Sequence, residues 1–135
     1  MNTQEQLNIV LFSFGFKYGS PVDANYVMDV RFLPNPYWVE ELKDKTGKEE
    51  GVADYVLLSE AGKATVSQLR SFFTFIVEQN LLAGKKTLRI GIGCTGGRHR
   101  SVAVTEKITE HLQGLPVILN VFHRDIGKDS LLPDL

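Results

Sequence analysis

An α/β domain is predicted, with a mostly parallel sheet of about four strands, helices on both faces, and a phosphate-binding loop between strand three and the following helix. Three observations predict it. Apolar, strand-like runs alternate with helical stretches, the order of βαβ crossovers and hence of a parallel sheet covered by helices. One strand-to-helix junction, Gly93–Ser101, is dense in glycine and arginine. The 135 residues suit a single domain, 1–135, and 43% hydrophobic with 23% charged residues exclude a disordered chain.

Gln6–Phe14 (QLNIVLFSF) reads as a first buried strand, ending in the turn-rich segment Gly15–Pro21. Tyr26–Phe32 alternates apolar and polar positions and reads as a second strand. Pro34-Asn35-Pro36 then breaks the chain, and Pro36 suits the first position of a short helix through Leu42. Lys43–Gly51 is charged and lacks an apolar period, so it reads as a surface loop and a candidate mobile lid, with Thr46-Gly47 as a turn. Val52–Leu58 reads as a helix. A longer helix follows over Ala64–Ala83, with Val66, Leu69, Phe73 and Ile76 on one face and Gly84 as its stop. Phe72, Phe73 and Phe75 are assigned to the core. Thr87–Ile92 is a third strand, the helix after the loop runs to about Gln113, and Val117–Phe122 is a fourth strand.

Fifteen basic and 16 acidic side chains leave a net charge of -1, so no global field draws this chain to nucleic acid. Any anion affinity has to be local. The single cysteine, Cys94, excludes an internal disulfide and fits a reducing compartment. Met1–Leu7 is polar and lacks the order of a secretory leader, and no apolar run reaches the ~18–20 residues that span a bilayer. A cytoplasmic protein without a membrane partner is expected. One cysteine and three scattered histidines lack ligand spacing, so neither a metal nor a cofactor is expected.

The chemistry concentrates in Cys94-Thr95-Gly96-Gly97-Arg98-His99-Arg100-Ser101. A strand delivers this segment to the carboxyl edge of the sheet, where open α/β sheets bind ligands. The next helix begins with unpaired N–H groups and a partial positive charge. Gly96 and Gly97 let the backbone curl so that successive N–H groups converge on one anion. Arg98, His99 and Arg100 add donors, and Ser101 caps the helix or donates a further bond. The dinucleotide fingerprint G-x-G-x-x-G is met literally by Gly91, Gly93 and Gly96. It is rejected because too little chain follows and Asn120 stands where an acidic residue belongs.

Lys17 and the pair Asp29 and Arg31 are further ligand candidates, the latter two as ligand contacts or as partners of each other. His123 and Arg124, at the end of the fourth strand, complete the set. His111 reads as a surface residue at a helix C-terminus. Cys94, Gly97 and Arg100-Ser101 also fit C-x-x-G-x-x-R-S, a loop similar to that of cysteine-dependent phosphatases. There Cys94 would be the nucleophile and Arg100 the clamp on two phosphate oxygens. The leaving-group acid is open among Asp23, Asp29 and Asp125, and Gly93 stands where most such enzymes carry histidine.

Four segments in this order, Ser13–Gly19, Asp29–Pro36, Gly93–Ser101 and His123-Arg124-Asp125, closely resemble the C-terminal domain of the bacterial RapZ/YvcJ family, over roughly residues 8–126. Members of that family usually carry an N-terminal P-loop ATPase-like domain. No G-x-x-x-x-G-K-[ST] occurs here, so the resemblance is to the C-terminal domain standing alone, without nucleotide hydrolysis. The resemblance implies hexosamine-phosphate sensing and small-RNA binding, with RNA presented to a ribonuclease. The anion loop is intact, whereas Gly127–Leu135 is not the basic tail of RNA-binding members. The expected function is therefore a sensor or adaptor that binds a phosphorylated metabolite, a hexosamine phosphate or other sugar phosphate. A protein partner, RNA and a homo-oligomer are its further candidate associations. The expected class is a binding protein rather than an enzyme, and a phosphatase using Cys94 and Arg100 is the alternative.

Overall fold

A computed structural model describes residues 6–128 of the chain. Four strands, β1 (Leu7–Gly15), β2 (Tyr26–Asp29), β3 (Thr87–Cys94) and β4 (Val117–His123), form one all-parallel sheet in the order β2-β3-β1-β4. Three helices accompany them: α1 (Glu50–Leu57), α2 (Glu60–Leu82) and α3 (Arg100–Leu112). The expected α/β class and parallel sheet are thus present. Residues 129–135, which carry most of the non-basic tail, lie outside the described residues.

One face of the sheet builds the main core. Leu7, Ile9 and Leu11 of β1 and Leu88, Ile90 and Ile92 of β3 meet Val56 of α1, Phe73 and Val77 of α2, and Ile108 and Leu112 of α3. Each of these buried side chains contributes roughly 1.5–3 kcal/mol through removal from water. All three helices share this cluster, which corrects the expectation of helices on both faces. The opposite face carries Phe12, stacked on Phe122 at 5.1 Å between ring centroids, and Phe14, edge-on to Phe16 at 4.8 Å. The physical reason lies in the β1–β2 connection. Residues 16–25 hold only a short 3-10 turn, Phe16–Tyr18, and return across β3 on that face, where Asp23 meets Arg89 at 3.2 Å.

Local signals explain the other shifts in boundary. β2 stops at Asp29 rather than Phe32, because the Asp29 carboxylate accepts the Arg31 N–H at 2.9 Å and Leu33 N–H closes a turn onto Val30. The short helix from Pro36 is a 3-10 turn, Pro36–Trp38, capped by Asn35 Oδ1 on the Tyr37 N–H at 3.1 Å. α2 begins at Glu60 because Ser59 Oγ caps the Gly62 N–H at 2.9 Å. Of the three phenylalanines assigned to the core, Phe73 alone is buried. Phe72 and Phe75 are 36% and 56% exposed, since they fall outside the face of α2 that meets the sheet. No helix among the described residues is long and apolar enough to cross a membrane.

The aromatic face also explains Gly93. A β-carbon there would lie 2.4 Å from Phe14 Cζ and 2.7 Å from Phe16 Cε2, so the residue before Cys94 has no room for a side chain. Gly93→Ala is expected to destabilise the fold by about 1–3 kcal/mol, the usual cost of overpacking. Urea unfolding checks this, and an unchanged midpoint would contradict the packing.

Candidate functional site

The register brings the motif segments together at one edge. Gly15 pairs with Cys94, Asp29 with Gly93 and Ser13 with His123, so all four strands end at the carboxyl side of the sheet, beside the start of α3. Of the sequence-proposed residues, Lys17, Asp29, Arg31, Cys94–Ser101, His123 and Arg124 all stand at this edge. Their side chains have distinct commitments.

Cys94 is fully buried at the base of the loop. Its Sγ accepts the Ser101 N–H at 3.3 Å and lies 3.1 Å from Ser101 Oγ. Ser101 is therefore the second residue of α3 and not its cap. The cap position belongs to His99, whose side chain makes no capping bond. Gly97 has φ +77°, a conformation that favours glycine, and a β-carbon on it would lie 2.6 Å from Gly15 N. Among the described residues, the N–H groups of Gly97 and Arg98 donate to no backbone carbonyl. Arg100 is 3% exposed, so it works from inside the loop. It donates to the Arg31 carbonyl at 2.6 Å and approaches Thr95 Oγ1 at 3.5 Å.

Arg98 and His99 turn the other way. Arg98 Nε donates to the Lys45 carbonyl at 3.1 Å and Nη2 to that of Asp44, while His99 Nε2 lies 3.0 Å from the Lys43 carbonyl. Gly47 N–H answers by donating to the Arg98 carbonyl at 2.9 Å. A β-carbon at Gly47 would stand 2.3 Å from His99 O, so the 43–47 segment lies directly on the head of α3. The segment read as a surface loop and candidate lid is thus a strap seated on the head of α3. Thr46 closes it locally: Glu49 Oε2 accepts the Thr46 N–H at 2.7 Å, and Thr46 Oγ1 accepts the Lys48 N–H at 3.2 Å.

Asp29 and Arg31 pair with each other through a fork, with Nη2 to Oδ2 at 2.6 Å and Nε to Oδ1 at 3.0 Å. The Arg31 hydrogen bonds hold the Asp29 carboxyl below its ordinary range, and Asp29 in turn raises the Arg31 guanidinium. The Arg31 guanidinium also lies 4.1 Å from the Phe16 ring centroid. Lys17 donates its backbone N–H to the Thr95 carbonyl at 3.1 Å, tying the β1 exit to the loop.

At the end of β4, His123 bridges two elements. Its Nδ1 is 2.7 Å from Ser13 Oγ and its Nε2 is 2.7 Å from Glu106 Oε2 of α3. Arg124 donates to the Gly19 carbonyl at 2.7 Å and to the Asp125 carboxylate at 2.9 Å. Asp125 is buried and accepts the Gly15 N–H at 2.7 Å and the Lys128 ammonium at 3.0 Å. Burial alone would raise this carboxyl. The hydrogen bonds from Arg124, Gly15 and Lys128 outweigh it and hold Asp125 below the usual range.

The three candidate acids are thus all committed. Asp23 meets Arg89, five strand positions from Cys94 and so about 17 Å from the loop, while Asp29 and Asp125 are ionised partners of arginine. The sequence reading missed Gly15 and Gly47, whose roles depend on segments far away in the chain, and the Ser13–His123–Glu106 chain. Among the described residues no three His, Cys, Asp or Glu side chains are grouped to hold a metal.

Comparison with known proteins follows this layout. The family model of the RapZ C-terminal domain matches residues 7–127. A nucleotide-binding protein of Caldicellulosiruptor saccharolyticus is 47% identical over 127 residues, covering 94% of this chain and 43% of that protein. A nucleotide-binding protein of Clostridium botulinum strain Loch Maree is 47% identical over 126 residues, covering 93% and 43%. The chain therefore spans less than half the length of these bacterial relatives.

Asp125 gives a pH test of the edge. A carboxyl held low in the folded state contributes stability above its unfolded pKa and loses it as pH falls through the folded value. Asp125→Asn is expected to cost about 1.5–3 kcal/mol at neutral pH, the range for hydrogen bonds to a charged group. Urea unfolding from pH 7 downward should show the gap between wild type and variant closing below pH about 4. A gap that stays constant on acidification would contradict the ionised role.

Proposed function

The chain belongs to the RapZ C-terminal domain family, and we propose that it is a sensor or adaptor domain whose Cys94–Ser101 loop binds the phosphate of a sugar phosphate. The observation carrying this reading is that, among the described residues, the N–H groups of Gly97 and Arg98 donate to no backbone carbonyl at the head of α3, a helix with no side-chain cap. Polar groups in such a place need an acceptor, and a helix N-terminus favours one that is negative. Gly96 and Gly97 allow the close approach, Arg100 supplies a fixed charge from inside the loop, and the Arg31–Asp29 fork stands at its rim. A hexosamine phosphate is the proposed ligand.

The strap couples this loop to the surface. A ligand that draws on the Arg98 N–H pulls on the residue whose side chain and carbonyl hold segment 43–47. That segment leads directly into α1, so occupancy has a mechanical route to a protein partner. RNA contact is proposed only as a weak, salt-sensitive association, consistent with the net charge of -1.

A phosphatase reading draws on one observation, the two contacts that Ser101 makes with Cys94 Sγ, which suit a stabilised thiolate. It lacks an acid, because Asp29 and Asp125 are held ionised by arginine partners and Asp23 is remote. Binding without turnover is the reading that fits.

Calorimetry with glucosamine 6-phosphate, and with glucosamine as the uncharged control, tests the proposal. The phosphorylated sugar is expected to bind and the control not. Arg100→Gln should weaken binding by about 1.5–3 kcal/mol. Cys94→Ser should keep the affinity, with no aryl phosphate hydrolysis in either protein. Equal binding of both sugars would remove the phosphate from the account, and hydrolysis lost with the thiol would establish the phosphatase.

A further inference from the structure

Away from the loop, two cavities flank α1. One of about 320 Å³ lies between α1, α2 and α3, and a second of about 280 Å³ lies between α1 and α3. Both are lined by Asp54, Leu57 and Lys107, so they form one continuous groove along the helix. Such a shape suits an extended occupant better than a compact one.

The larger cavity has a distinct chemistry. Its floor is apolar, with Leu57, Leu58 and Val66, and Leu58 is 60% exposed despite its apolar side chain. Its rim carries Lys63 and Arg70, two turns apart on α2, and Lys107 of α3, against the single carboxylate of Asp54. Lys63 and Arg70 give the α2 end of the groove a positive excess, whereas its α3 end sets Lys48 and Lys107 against Glu106 and Glu110. Lys107 is engaged by Glu110 at 3.5 Å, whereas Lys63, Arg70 and Asp54 make no ion pair among the described residues. At the α2 end, an anionic partner that meets Lys63 and Arg70 is favoured over a neutral one.

We propose that this groove docks an acidic, leucine-bearing peptide segment of a protein partner. An apolar anchor would cover Leu57, Leu58 and Val66, and flanking carboxylates would meet Lys63 and Arg70 at the α2 end. An RNA strand is less suited, because the floor is aliphatic and offers no aromatic stacking platform. The inference is independent of the phosphate reading, since it uses none of the loop residues.

The test is an NMR titration of the isotope-labelled chain with an acetylated, amidated peptide of alternating Glu and Leu. The same peptide with Gln for Glu and a short single-stranded RNA serve as comparisons. The acidic peptide is expected to shift amide signals in α1 and the first half of α2, and to bind at least about fivefold more tightly than the Gln peptide. Lys63→Glu with Arg70→Glu, both at exposed positions, should weaken it about tenfold or more, and Leu58→Ser should weaken both peptides. Circular dichroism confirms that the variants remain folded. No binding up to about 1 mM, equal binding of the two peptides, shifts confined to other elements, or tighter RNA binding at the same residues would each overturn the proposal.

Discussion

Backbone lies on backbone where β1 ends against the turn of the loop, and the site depends on that contact. A β-carbon at Gly15 would fall 2.4 Å from the carbonyl carbon of Gly96, and one at Gly97 would fall 2.6 Å from Gly15 N. No side chain fits between the two segments. The approach fixes the height of the loop above the sheet, and the buried Asp125 carboxylate fastens the same point by accepting the Gly15 N–H. Strand, loop and the exit of β4 thus meet at one glycine. The positive φ of Gly97 then turns the chain into α3, and Cys94 Sγ takes the Ser101 N–H from beneath.

Side chains at this edge divide into those that hold the scaffold and those left at the head of α3. Arg98, His99 and Arg124 donate to carbonyls of neighbouring segments, and His123 links β1 to α3. These are positioning contacts. What remains at the head of α3 is a set of backbone donors, with Arg100 inside and the Arg31–Asp29 fork beside it. An arrangement built mainly from main-chain N–H groups recognises charge and shape more than base or sugar identity. That chemistry supports the proposal of a sensor that holds its ligand and releases it unchanged.

The strands and the long helix were legible because their signals are local. Period and glycine stops are written within a few residues, whereas the Ser59 cap that starts α2 at Glu60 and the Asn35 cap were not read. The place of the Gly93–Ser101 junction between a strand and a helix was legible for the same reason. The helices on one face, the strap and the commitments of Arg98 and His99 were not, since each depends on a partner far away in the chain, 53 and 56 residues for the two side chains, or on which face a connection takes. An arginine in a glycine loop reads as an anion ligand, and only the fold shows that Arg98 meets carbonyls while Arg100 stays within. Gly93 carries the same lesson. Its bare position, read as a departure from a phosphatase pattern, is dictated by the rings of Phe14 and Phe16.

The central claim is that the head of α3 holds a phosphate, and a crystal structure with glucosamine 6-phosphate tests it most directly. The account predicts phosphate oxygens within hydrogen-bond distance of the Gly97 and Arg98 N–H groups and the Arg100 guanidinium, with the 43–47 strap still seated on α3. A phosphosugar bound elsewhere, or a loop that stays closed to it at saturating ligand, would contradict the account.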